Sequence, residues 1–262
     1  MSTFTFYKYQ GAGNDFIIID NRKPLFNSED EDLVRRLCDR RFGIGADGLM
    51  LLQHADGYDF EMVYFNADGR EGSMCGNGGR CIVAFAKDRG LIDKSADFLA
   101  ADGRHYATID AGGRSVSLQM IDVGRIGRDG EAYVLDTGSP HYVALVDGLS
   151  SFPVVAEGRS IRNGTRYKEK GINVNFVEAD GAGYYVRTYE RGVEDETLAC
   201  GTGATAVALA MAKHEGRDGS MTVPIRVAGG NLRISFVKEG DRFTDIFLEG
   251  PAAFVFKGEI TR

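Results

Sequence analysis

Two cysteines sit in the same unusual setting. Cys75-Gly76-Asn77-Gly78 and Cys200-Gly201-Thr202-Gly203 share the pattern Cys-Gly-x-Gly, 125 residues apart. A glutamate precedes each by four positions, Glu71 and Glu196. Each motif leads into a run of short or apolar residues, Cys81–Ala86 and Ala206–Ala212, which reaches Gly90 or Gly216 after Lys, Arg or His, a helix stop signal. A helix that begins just after each cysteine presents its first N–H groups and the positive end of its dipole there. A carboxylate is held well at such a point, and glycine lets it come close. The same field favours thiolate over thiol. Each motif thus offers a reactive sulfur and part of an anion hole. Two of them facing each other would place one sulfur on each side of a substrate α-carbon. A thiolate could then remove the α-proton while the opposite thiol delivers one, inverting the centre without imine chemistry. One Cys-Gly-x-Gly alone would more often be a structural turn. Its recurrence, each time opening an apolar helix, favours chemistry. Cys81, six residues into the first helix and without a counterpart, reads as core, as does Cys38.

The elements around these motifs must be duplicated too. Phe16–Ile19 and Tyr142–Leu145 are apolar runs after Gly-containing turns, 126 residues apart. The chain therefore reads as two similar halves, 1–120 and 121–251, with 252–262 expected to return to the first. Both post-cysteine helices are apolar nearly all round, which implies burial inside strands. Val223, Ile225 and Val227 alternate, a Gly229-Gly230-Asn231 turn follows, and Leu232, Ile234 and Phe236 alternate again, the pattern of a hairpin. Ser115–Met120, Tyr133–Asp136 and Tyr184–Tyr189 also read as strands. An amphipathic helix follows Ser28, with Ser28 and Glu31 as a capping box and Leu33, Val34, Leu37 and Cys38 on its buried face.

Composition narrows the class. The 262 residues are 43% hydrophobic and 26% charged, with 35 glycines against 5 prolines, the mix of a globular enzyme rich in turns. A net charge of −7 without Lys/Arg runs disfavours nucleic acid. Apolar runs are too short to span a bilayer, and the first ten residues lack a signal-peptide pattern, so a cytoplasmic location is expected. The four cysteines show no zinc spacing and are expected as free thiols.

At this point the sequence resembles the diaminopimelate epimerase family along essentially its whole length. The resemblance rests on Gly13-Asn14-Asp15-Phe16, Phe65-Asn66-Ala67-Asp68-Gly69, Met74-Cys75-Gly76-Asn77-Gly78-Gly79-Arg80-Cys81, Gly171-Ile172-Asn173-Val174-Asn175-Phe176, and Tyr189-Glu190-Arg191-Gly192 leading to Ala199-Cys200-Gly201-Thr202-Gly203. It implies an α+β fold of two pseudo-symmetric lobes, each a mostly antiparallel β-sheet wrapped round a central α-helix, with the active site in the cleft between them. It also implies conversion of LL- to meso-diaminopimelate, for lysine and peptidoglycan precursors, by Cys75 and Cys200 without cofactor or metal, in a homodimer. By the same likeness, Gly76, Asn77, Gly201 and Thr202 hold the reacting carboxylate. Asn14, Asn66, Asn173 and Arg191 bind the substrate, Arg191 at the distal carboxylate, and His141 and Glu190 line the site.

Taken alone, the residues are less decisive. Asn14 and Asn66 stand beside glycines, where Asn is an ordinary turn residue. Glu190-Arg191 could be a surface pair, and His141 a structural histidine. Two positions depart from some family members, which carry Gln at Gly48 and Asn at Ser139; both changes remove side-chain hydrogen bonds. Rival readings are a two-cysteine racemase of proline, hydroxyproline or another amino acid; a PhzF-like isomerase, against which the cysteine pair argues; a thiol redox protein; and a non-catalytic anion-binding module.

Overall fold

The computed structural model describes residues 3–27, 30–72 and 74–261. The chain divides into two compact units, 1–118 with 250–262, and 119–249.

The first unit contains β1 (Thr3–Gly11), β2 (Asn14–Asp20), α1 (Glu31–Cys38), β3 (Gly48–Gln53), β4 (Phe60–Asn66), α2 (Gly76–Asp88), β5 (Ser95–Ala100), β6 (Gly103–Ile109) and β7 (Ser115–Gln119). The second contains β8 (Gly127–Asp129), β9 (Ala132–Asp136), β10 (Pro140–Leu145), α3 (Val154–Arg162), β11 (Asn173–Asp180), β12 (Gly183–Glu190), β13 (Asp195–Thr197), α4 (Gly201–His214), β14 (Gly219–Val227), β15 (Gly230–Glu239) and β16 (Arg242–Pro251). The last strand, β17 (Ala253–Thr261), pairs with β1.

Strand pairing carries the duplication further than the motifs do. In the first unit the order is β17-β1-β2-β3-β4-β5-β6-β7, with β2–β3 and β4–β5 parallel and the other pairs antiparallel. In the second it is β8-β9-β10-β11-β12-β14-β15-β16, with β10–β11 and β12–β14 parallel and the other pairs antiparallel. The two series are the same. Each parallel step needs a crossover, and a helix supplies it in every case: α1 and α3 at the first step, α2 and α4 at the second.

Local sequence explains the layering. β3 is buried from Gly48 to Leu52 because both its faces are covered. Leu49 and Leu51 join Leu33, Val34 and Leu37 of α1 in one cluster. Met50 points the other way, towards Gly78 of α2. The second unit repeats this, with Val174 and Phe176 clustered with Val154 of α3. The central helices have no exposed face over most of their length: α2 is buried from Gly76 to Ala86, and α4 is rich in buried alanines. Alanine favours helix and lets surrounding strands approach closely. The fully buried Ile82, Val83 and Phe85 each contribute about 2 kcal/mol to burial. Both helices stop at the expected glycines, Gly90 and Gly216, at φ of 71° and 66°. At the end of α2, Leu91 N donates to Ala86 O as in a Schellman turn.

Cys38 and Cys81 are core residues, and burial pushes both thiols up to about 12. Three expectations change. The capping box is replaced by Asp30, whose carboxylate accepts from Leu33 N at 3.0 Å, with Glu31 inside the helix; Ser28 lies outside the described residues. The hairpin turn is Ala228-Gly229, because Gly230 already pairs with Val227. The counterpart of Phe16 is His141 rather than Tyr142. Phe16 stands opposite Gly48 and His141 opposite Asn173, in equivalent parallel pairs, which restores the offset of 125 shown by the cysteines.

Candidate active site

Each cysteine caps the helix that follows it. Cys75 has φ −104° and ψ 122°, Cys200 has φ −112° and ψ 111°, and neither side chain bonds back to its own cap. The first intrahelical bonds run from Gly79 N to Cys75 O at 2.7 Å and from Ala204 N to Cys200 O at 2.9 Å. The sulfurs therefore stand outside two equivalent helix starts, where N–H groups and dipole favour an anion. Cys75 is half-buried and Cys200 is buried.

In the first unit three predicted residues meet at one oxygen. Asn14 Oδ1 accepts from Cys75 Sγ at 3.7 Å and from Asn77 Nδ2 at 3.3 Å. The other end of the Asn14 amide donates to Asp47, which is held by Arg40 at 2.6 Å. Beside it, Asp15 is paired with Lys8 at 2.7 Å and Arg40 at 2.6 Å. Burial works to raise the Asp15 carboxyl, but these two cations outweigh it and hold it at about 2. The loop that carries Asn14 is thus clamped by charge. Asn77 is fixed from its far side by Arg80, whose guanidinium donates to Asn77 Oδ1 at 2.8 Å and to Gly76 O at 3.3 Å. Arg80 is fully buried with no carboxylate paired to it among the described residues, and burial lowers its pKa. A buried cation without an anion is costly, and the anion hole predicted at this helix start is where a negative group would offset it.

Asn66 ends β4, opposite Gly48. A Cβ on Gly48 would lie 2.5 Å from the Tyr64 ring and 2.6 Å from the Phe65 carbonyl. That gives Gly48 a physical reason: Tyr64 occupies the space a side chain there would need.

In the second unit Cys200 Sγ lies 3.5 Å from Thr202 Oγ1, and Thr202 O accepts from Thr137 Oγ1 at 2.9 Å. Asn173 holds the Arg191 backbone, N to Oδ1 at 2.9 Å, and donates to Ser139 Oγ at 2.9 Å. Arg191 itself reaches Lys170 O at 3.1 Å and Ser139 Oγ at 3.4 Å. Ser139 therefore still joins the network at the position where it departs from the pattern. Glu190 accepts from Thr197 Oγ1 at 2.7 Å. His141 is fully buried on β10. Burial, and then the charge of Arg191, push its imidazole down to about 3, so it is neutral at working pH.

Sequence reasoning missed Asp47, Arg80 and Asn175. Asn175 lies two residues from Asn173 on β11, so both point to the face that meets α4. Two buried asparagines alternating in an apolar strand were a signal that a polar site lay beneath. Gly203 shows how closely they pack: a Cβ there would fall 2.4 Å from Asn175 Oδ1 and 3.3 Å from Cys200 Sγ. At the equivalent Gly78 the neighbours are Met50 Sδ at 3.1 Å and Met62 Cε at 3.4 Å.

Comparison with known proteins places this arrangement. A family model described as diaminopimelate epimerase matches residues 6–125 and 133–255. The diaminopimelate epimerase of Flavobacterium psychrophilum is 52% identical over 97% of this chain and 99% of its own. That of Chlorobaculum tepidum is 46% identical over 96% and 99%. Among solved structures, a PhzF-family phenazine biosynthesis protein from Bacillus anthracis superposes with a TM-score of 0.80 over 100% of both chains at 14% identity. A probable proline racemase from Agrobacterium radiobacter K84 gives 0.71 over 98% of this chain and 93% of that one, also at 14% identity. At that identity the structures share the fold alone, whereas the family match and the high-identity relatives span nearly the whole sequence: the chain belongs to the diaminopimelate epimerase family.

Proposed function

We propose that Cys75 and Cys200 are the acid–base pair of this isomerase. The reaction is that of the family, diaminopimelate epimerisation in lysine biosynthesis. The observation that carries the residue assignment is the repeated helix cap: the same extended cysteine, the same following glycines and the same buried helix, once in each unit. The α-carboxylate of LL-diaminopimelate is held by backbone N–H groups at a helix start of this kind. One cysteine, as thiolate, takes the α-proton, and the pair of electrons left on carbon delocalises into the carboxylate. The other cysteine, as thiol, gives its proton to the opposite face, yielding the meso isomer. The two sulfurs have exchanged protonation states, which leaves the enzyme poised for the reverse reaction until the sulfurs re-exchange their protons with solvent, and a second LL substrate can then react. Asn14, Asn66, Asn173 and Glu190 orient the substrate, Arg191 pairs its distal carboxylate in a fork–fork contact, and His141 lines the site. The chemistry as written calls for no cofactor.

The test is incubation of reduced protein with LL-diaminopimelate in D₂O without added cofactor. Meso product with deuterium at the inverted carbon is expected, with a bell-shaped pH–rate profile, since one sulfur must be thiolate and the other thiol. Inversion without solvent deuterium, or a rate flat from acid to alkaline pH, overturns the mechanism. A proline-racemase reading has the shared fold in its favour, but it has no use for Arg191, which suits a second carboxylate.

The proposal extends to a homodimer. The edge strand β17 exposes Phe254, Val255 and Phe256, an apolar row suited to a second copy. Sedimentation equilibrium giving the mass of a single chain at micromolar concentration would rule it out. No helix among the described residues is long and apolar enough to cross a membrane. A pair of cysteines that must act as thiol and thiolate suits the reducing cytoplasm.

A further inference from the structure

His141, Asn175 and Thr188 form a buried polar row across β10, β11 and β12. Shielded from water, their hydrogens need acceptors in the protein or in a ligand. The Tyr142 carbonyl can only accept, so the Asn175 atom facing it at 3.0 Å is the amide nitrogen. The same nitrogen lies 3.1 Å from His141 Nδ1. Nδ1 must therefore accept, and the ring proton sits on Nε2. Thr188 Oγ1 donates to the Asn175 oxygen at 2.9 Å, which holds the amide in this sense. Among the described residues, His141 Nε2 is the buried side-chain nitrogen left without a hydrogen-bond partner.

The row is not something the fold requires. At the equivalent positions of the first unit stand Phe16 for His141 and Met50 for Asn175, and the same strands form around them. The row meets the start of α4 at Asn175, whose oxygen and Cys200 Sγ crowd the same glycine, Gly203.

We propose that Asn175 is a positioning residue: it locks His141 as an Nε2–H donor whose acceptor is an anionic oxygen of the substrate at the start of α4. The acceptor, though not the lock, rests on the function proposed above. Arg191 is the charged group acting on the ring, and with burial it keeps the imidazole neutral. A neutral ring in this tautomer can donate but cannot serve as a base through Nε2, which leaves proton transfer to the sulfurs.

The test uses the whole protein labelled with ¹⁵N-histidine, the His141 signal among four histidines being assigned with His141→Gln. The expected signal is an Nε2–H tautomer unchanged from about pH 5 to 9, the span over which an ordinary histidine titrates. Asn175→Asp, whose carboxylate can only accept, should move the proton to Nδ1. Its kcat should fall about 100-fold, the effect of losing one preorganised donor, with KM changed less than about threefold, as for a contact made chiefly in the transition state. An Nδ1–H tautomer in the unmodified protein, a ring titrating in its ordinary range, or Asn175→Asp with unchanged kcat would each overturn the proposal. The first two readings need no variant, so a misfolded Asn175→Asp leaves the test intact. A locked ring in a protein that does not epimerise diaminopimelate overturns the function and leaves the lock standing.

Discussion

Replacing either Cys75 or Cys200 by alanine should cut epimerisation by at least about 10³-fold, since each removes one of two positioned proton-transfer groups. That is ~4 kcal/mol of transition-state stabilisation. The two variants should nonetheless remain folded, because neither sulfur caps its helix and each substitution removes a single side-chain atom. A sharper result follows from the two-sided mechanism. A variant with one sulfur left can still remove an α-proton from the face that sulfur serves and return a deuteron to the same face. Each variant should therefore exchange the α-hydrogen of one epimer without inverting it, and the two variants should act on opposite epimers. Mass spectrometry of recovered substrate reads this directly and assigns each cysteine to its stereoisomer. Full turnover by either variant, or exchange of the same epimer by both, would sink the assignment. Cys81→Ala and Cys38→Ala are the controls: both thiols are core groups held protonated by burial, and their loss should show in stability rather than in exchange.

Gly203→Ala should reduce kcat by about 100-fold or more, while Gly78→Ala, the same substitution at the equivalent place, should change it by less than about tenfold. The steric difference is explicit. At Gly203 the new methyl meets Asn175 Oδ1 at 2.4 Å, and that amide is fixed by Thr188, Tyr142 and His141. Something must shift, and the nearest movable groups are the histidine row and Cys200 itself. Overpacking of this kind costs about 1–3 kcal/mol in stability and misplaces the site by a distance that costs about 10²-fold in rate. At Gly78 the two nearest contacts are thioether atoms of Met50 and Met62, which can move, and Cys75 Cβ at 3.5 Å is at ordinary contact distance. Alanine also favours helix by about 1 kcal/mol, which offsets part of the crowding. Thermal melts and steady-state kinetics on the pair decide it. Equal losses at both positions would mean that the polar row is not what makes the second helix start intolerant.

What could be read from the sequence follows the physics of each feature. The cysteine caps were legible because helix starts and stops leave local marks: glycine after cysteine, a basic last turn, a glycine at positive φ. The buried helices were legible from their uniform apolarity. The full strand series was not. β3, apolar on both faces, has no alternation to betray it, and its pairing with β2 and β4 is set by distant contacts rather than by local propensity. α3 opens at Pro153 without a side-chain cap, so no N-terminal signal marked it. Offsets between apolar runs gave the duplication but missed the register by one residue at Phe16, because a run of Ile has no internal landmark; the parallel pairing supplies one. Arg80 and Asp47 stayed hidden for a related reason. Each acts by holding another polar side chain, and no spacing rule predicts which partner a buried charge will find in three dimensions.

The position of β17 has a consequence for synthesis. The second unit draws all eight strands of its pairing series from one continuous stretch, whereas the first borrows its outermost strand from residues 253–261. While the ribosome is still translating residue 250, β1 carries an unpaired edge along Thr3 to Gln10, the kind of edge that recruits other chains. Closure of the Asn14 and Cys75 half therefore depends on residues 253–261, and a nascent chain must protect that edge until they have emerged.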